Sequence, residues 1–277
     1  MNLAQTIDLE EVYSLEPSFA DLTDDIYTQI FLQEGAREAR FLIDEHEEPL
    51  ACALLTGTGW KITHFVYRKA TLGVLERVEQ VGGEIYQENR ERYLSAVREY
   101  YSCELMKDVT PAVEDITEDR MNLVRDVLKD RWGLGRGEIC LDCCCGSGIG
   151  SYALRTVGMT PLAYDNDPAL LSLGLRQGRL LPESTMWIDA TRATLYCTPV
   201  PRGLSCMLGE INTFTEVMWR RVVEELISLA EDVIITVGTE REARLVADWG
   251  QQRDRSVDLE ERPSDPIYER WICQIYR

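Results

Sequence analysis

Between residues 139 and 252, five short apolar runs alternate with four stretches of helical periodicity. No other feature of the chain constrains its fold as much. The runs occupy 139–142, 161–165, 185–189, 204–208 and 233–237, and the helical stretches lie near 149–157, 168–180, 215–230 and 240–252. Near-continuously apolar strands are buried on both faces, which a parallel sheet between helical layers provides. Further on, 256–260 and 270–276 read as two strands flanking Arg262-Pro-Ser-Asp-Pro266, a turn signature. The predicted architecture is therefore α/β: a doubly wound, mostly parallel seven-stranded sheet with an antiparallel last strand.

Upstream the pattern differs. Trp132-Gly-Leu-Gly-Arg-Gly137 is a glycine-rich link and predicts a division into domains 1–136 and 137–277. The first of these reads as mainly helical. After Gly82-Gly83, residues Ile85, Tyr86, Tyr93, Leu94, Val97, Tyr100, Tyr101 and Leu105 recur on one helical face. Thr117 opens a second helix whose apolar positions are Met121, Leu123, Val124, Val127 and Leu128. Residues 50–80 fit either helix or strand.

Charge bears on partners. The chain carries a net charge of −19, and its first fifty residues hold thirteen acids against two arginines, a balance of −11. Neutralising a phosphate backbone needs lysine and arginine, so nucleic acid is a disfavoured partner. No apolar run is long enough to span a bilayer, and the first residues lack the basic and apolar regions of a secretory signal, so a cytoplasmic location is expected. Nine cysteines, three of them consecutive at 143–145, do not form a secreted disulfide framework. Neighbouring residues of an extended segment point to opposite sides, so the cysteine run is read as packing and no metal site is expected.

The chemistry concentrates where the first run ends. Asp142-Cys-Cys-Cys-Gly146-Ser-Gly148 is a tight turn of small residues leading into a helix, where backbone can approach a ligand and helix N–H groups face it. The dinucleotide pattern G-x-G-x-x-G is not met: Gly150 comes too early and Gly158 too late. Asp165 ends the second run and Asp189 the third, which places three acids at one sheet edge, where open α/β sheets bind ligands.

Together these residues resemble the class I S-adenosylmethionine-dependent methyltransferases over roughly 137–277. The resemblance implies a Rossmann-like fold with S-adenosylmethionine as cofactor. Gly146, Gly148 and Cys144 would pass close to the methionine moiety, with Asp142 ordering that loop. Asp165 and Asn166 would bind ribose, and Asp189 with Ala190 would hold adenine. Arg120, ahead of the first strand, would touch the cofactor's carboxylate. The family usually has glycine where this chain has Cys144. Cys145-Gly-Ser-Gly148 is identical to part of the D-P-F-C-G-S-G loop of amino-methylating relatives, yet their (N/D)-P-P-(Y/F) element is replaced by Gly209-Glu-Ile-Asn212. Glu210 is thus the candidate catalytic or acceptor-positioning residue. The expected function is methyl transfer to a small-molecule or protein acceptor, selected by the N-terminal domain. An RNA or tRNA methyltransferase and a non-catalytic cofactor-binding protein are the alternatives.

Overall fold

A computed structural model describes residues 2–113, 118–262 and 269–277, in two compact units, Met1–Glu104 and Leu105–Arg277. The division falls at 104/105 and not at the glycine-rich link. The reason is packing. The helix ahead of the first strand, α4 (Glu118–Trp132), buries Val124, Val127 and Leu128 against Ile149, Leu154 and Ile272 and so belongs to the second unit. Thr117 itself lies outside the described residues.

The first unit is not mainly helical. It contains β1 (Tyr13–Ser14), α1 (Ile26–Gln33), β2 (Glu38–Ile43), β3 (Pro49–Thr56), β4 (Gly59–His64), α2 (Leu72–Gln80), β5 (Glu84–Gln87) and most of α3 (Arg90–Asp108). The strands form one sheet in the order β1-β4-β3-β2-β5, antiparallel from β4 to β2 and parallel at both edges. Leu50 to Leu54 are all fully buried, as a central strand covered on both faces requires, and the run is too short for a stable helix. Ile85 and Tyr86 sit on β5, so the helical spacing that joins them to Tyr93 is coincidental. Gly57-Thr-Gly59 is the turn between β3 and β4.

Beside this sheet lies a polar network. Glu16 accepts hydrogen bonds from Thr63 Oγ1 (2.8 Å) and the His64 amide (3.1 Å) and pairs with Arg68; all four residues are buried. His64 Nδ1 is 2.7 Å from the Tyr93 hydroxyl, and its Nε2 is 3.2 Å from Ser14 Oγ. Burial lowers the His64 pKa to about 4, overriding the opposing pull of Glu16.

The second unit carries β6 (Ile139–Cys143), α5 (Ile149–Thr156), β7 (Thr160–Asp165), α6 (Pro168–Arg176), β8 (Thr185–Trp187), β9 (Val200–Ser205), α7 (Glu216–Leu229), β10 (Ala230–Val237), α8 (Glu240–Gln251), β11 (Ser256–Glu261) and β12 (Trp271–Tyr276). The seven strands take the order β11-β12-β10-β9-β6-β7-β8. β6 to β10 are mutually parallel, and β12 runs antiparallel to both its neighbours. Each predicted run is found, although the fourth strand lies earlier, at Val200–Ser205. The turn at 263–266 falls outside the described residues.

Local chemistry starts the helices. Asp167 caps α6 by accepting from the Ala169 and Leu170 amides, with Pro168 at the first position. Thr239 and Glu242 form a capping box on α8. Cys140 to Cys143 are consecutively buried, so both faces of β6 are covered. Among the described residues no helix is long and apolar enough to cross a membrane.

The His64 shift makes a pH prediction. The unfolded chain takes up a proton near 6.5 and the folded chain only near 4, so stability is lost as pH falls across that window and levels off below it. The loss is at most about 3 kcal/mol. Urea unfolding of His64→Gln at pH 7, 5.5 and 4.5 is expected to show a shallower decline than the parent.

Candidate functional site

The carboxyl ends of β6, β7 and β9 open onto a cleft of about 320 Å³. Its floor is the loop after β6, Cys144 to Ser147, continued by Ile149 and Gly150 of α5. Asp165 borders it from β7, Leu170 from α6, Cys206 and Met207 from beyond β9, Trp219 from α7, and Arg120 from α4. Short side chains in the loop leave backbone exposed to whatever enters. Gly148 holds φ +89° as α5 begins.

Asp142 lies just beneath this floor and is fully buried. Ser151 Oγ donates to its Oδ2 at 2.6 Å, while Oδ1 accepts no hydrogen bond from the described residues. A Cβ at Gly150 would stand 2.5 Å from that Oδ1, so only glycine lets the carboxylate reach the cleft wall. Burial raises the Asp142 pKa to about 7; the Ser151 bonds oppose the shift and the nearby Asp165 adds to it.

Asp165 is mostly buried and takes the Gly146 amide on Oδ2 (2.8 Å) and the Asp167 amide on Oδ1 (2.8 Å). Burial raises its pKa too, against those two bonds. Two carboxylates thus meet in a poorly solvated place, which favours a ligand bearing positive charge or hydroxyl donors. At the opposite character stands Arg120, whose guanidinium is held by the buried Glu269 (Nη2–Oε1 3.0 Å).

Cys144 has φ +53°, the left-handed region that favours glycine. Its sulfur lies 3.8 Å from that of Cys143. Among the described residues no group of three or more His, Cys, Asp or Glu side chains is arranged to hold a metal.

Of the residues singled out from sequence, the cleft lining includes Arg120, Cys144, Gly146 and Asp165. Asp142 stands behind Gly150, and Gly148 ends the loop. Asn166 is exposed, and its carbonyl accepts from Trp187 Nε1 at 3.2 Å. Asp189 is exposed and caps the short kinked 3-10 segment Ala190–Leu195, its Oδ1 accepting from the Thr191 amide and hydroxyl, both at 2.8 Å. Ala190 is buried beside it. None of these three lines the cleft. The Glu210 side chain is exposed and outside the lining; its carbonyl accepts from Trp219 Nε1 at 3.2 Å. Sequence reasoning missed Trp219, Met207, Leu170 and Glu269. Trp219 sits on α7 within an ordinary amphipathic pattern, and Glu269 lies 149 positions from its partner, so neither carried a local signal.

Five parallel strands in the order β10-β9-β6-β7-β8, a reversed β12 inserted between β10 and β11, and a ligand cleft at the end of the central strand match the resemblance drawn from the sequence. The second unit has the doubly wound, mostly parallel seven-stranded architecture that this resemblance implies. No family model matches the chain, and no curated protein matches it. Solved structures similar to it include magnesium protoporphyrin IX methyltransferase from Synechocystis PCC 6803, 13% identical, covering 66% of this chain and 97% of that one with a TM-score of 0.47. Ribosomal protein L11 methylase from Lactobacillus delbrueckii subsp. bulgaricus is 13% identical, with 62% and 92% covered and a TM-score of 0.45. An rRNA methylase from Streptococcus thermophilus is 15% identical, with 59% and 99% covered and a TM-score of 0.42.

Three substitutions test the loop and the carboxylate beneath it. Cys144→Gly is expected to raise unfolding stability by about 1 kcal/mol by relieving the left-handed backbone, and Cys144→Val to lower it by at least as much. For Asp142, the folded pKa of about 7 lies above the ordinary 3.8, so ionisation destabilises the fold progressively from pH 4 to 7. Asp142→Asn, which stays neutral, should therefore gain thermal stability over the parent as pH rises to 7, with no further gain above it.

Proposed function

We propose that the cleft binds S-adenosylmethionine and that the protein transfers its methyl group to a small-molecule or protein acceptor. The observation that carries the cofactor reading is the buried Asp142, with one oxygen unpartnered among the described residues, next to Asp165 and across from a single lining cation, Arg120. A ligand that is cationic at one end, carries vicinal hydroxyls and ends in an amino acid complements that set. The residues present fit it. Asp165 would hold the ribose hydroxyls, with Asn166 on the same turn. Gly146, Gly148 and Cys144 would face the methionine portion, and Arg120 its carboxylate. Asp189 and Ala190, which do not line the cleft, would meet only an adenine that extends past it. When bound, the cofactor supplies an electrophilic methyl group on a positively charged sulfur. The chain's own contribution is to orient the cofactor and to exclude water with Ile149, Leu170, Met207 and Trp219.

The preference against nucleic acid drawn from the acidity gains no support from the comparisons, whose names include an rRNA methylase. A small-molecule or protein acceptor is favoured by the charges at the cleft: its single lining cation, Arg120, is already engaged by Glu269, and Asp165 lies in its wall. The exposed Glu210 side chain is assigned to the acceptor and not to the cofactor.

Calorimetry tests the cofactor reading. S-adenosylmethionine is expected to bind, Asp165→Ala to abolish binding and Glu210→Gln to leave it unchanged. Affinity should rise with pH up to about 7, as Asp142 ionises to face the cation, and then plateau. No binding at any pH removes the reading. Incubating cell extract with methyl-labelled cofactor then identifies the acceptor. Label in small-molecule or protein fractions is expected, and label released only by ribonuclease overturns that part. Tight binding without any transfer marks a non-catalytic protein.

A further inference from the structure

Glu269 is 2% exposed, although carboxylates are seldom buried without a partner. Its partner is Arg120: Nε donates to Oε1 at 3.2 Å and Nη2 donates to the same oxygen at 3.0 Å, with Oε2 3.4 Å from Nε. Two donors of a rigid planar fork are therefore engaged by one anchored carboxylate, which fixes the plane of the guanidinium. An arginine on a cleft wall otherwise samples many rotamers, and a ligand must pay the entropy of choosing one. Glu269 does not line the cleft, whereas Arg120 does. The pair also brings the residue two positions ahead of β12 to the first turn of α4, so the reversed last strand of the sheet is tied to the site.

We propose that Glu269 is a positioning residue for ligand recognition: by holding Arg120 in one orientation at the cleft wall, it gives the site its selectivity for a ligand bearing an α-carboxylate. The inference rests on the cleft being an S-adenosylmethionine site and adds to it how the amino-acid end is read. Arg120 supplies the contact, and Glu269 acts only through it.

The test compares S-adenosylmethionine with its decarboxylated analogue, which keeps the sulfonium, ribose and adenine. Calorimetry on the full chain is run with the parent, with Glu269→Gln and with the double variant Arg120→Gln/Glu269→Gln. The double variant replaces the ion pair by two carboxamides, which leaves no buried charge if the single variant folds poorly. The parent is expected to prefer the carboxylated ligand. Glu269→Gln should weaken that ligand about tenfold and leave the analogue unchanged, and the double variant should bind both alike. Equal weakening of both ligands in folded variants, or unchanged preference, overturns the positioning role while the cofactor reading stands. Failure of the parent to bind either ligand overturns both.

Discussion

The buried carboxylate of Asp142, at the end of the central strand β6, is the constraint around which the second unit is arranged. A charge in such a place is costly unless it is paired, and here only one oxygen is served, by Ser151. Burial raises its pKa to about 7, so near neutral pH the group is divided between its protonated and ionised forms. Everything close to it follows from that burial. Gly150 cannot carry a side chain, Asp165 is stabilised by two backbone amides, and the loop between them is built from small residues.

The strain at Cys144 belongs to the same arrangement. A non-glycine residue in the left-handed region persists only when its surroundings over-determine it. Here the surroundings are a buried strand on one side and the amide–Asp165 bond of Gly146 on the other. Stability is given up along this loop so that backbone and carboxylates converge on one cleft. Such sites are where proteins depart from local preferences.

The first unit solves a different problem with the same chemistry. Glu16, Arg68, His64 and Tyr93 are buried together, and the charges are compensated inside the unit by an ion pair and short hydrogen bonds. That network specifies how the strands and α3 meet, since it joins Glu16, the 64–68 segment and Tyr93 of α3. Its histidine is held neutral by burial, with both ring nitrogens occupied.

How much of this was legible follows from the range of the interactions. The alternation of strands and helices, the loop from Asp142 to Gly148 and the acids at 165 and 189 are local patterns, and apolar periodicity with turn chemistry determined them in the chain itself. The sheet of the first unit was not legible, because its apolar runs suit helix as well as strand and its two edge pairs, β1 with β4 and β2 with β5, join distant segments. The position of the unit boundary was hidden for a related reason: α4 joins the second unit through side-chain packing, which a glycine-rich link cannot reveal. Within the site, sequence placed the acids at one sheet edge. Only tertiary structure decided that Asp189 turns to cap its own helix, that Glu210 stays outside the cleft lining and that Trp219 enters it. The ion pair between Arg120 and Glu269 is likewise a product of the fold, because contact between residues 149 positions apart is set by strand order and not by any local preference of the chain.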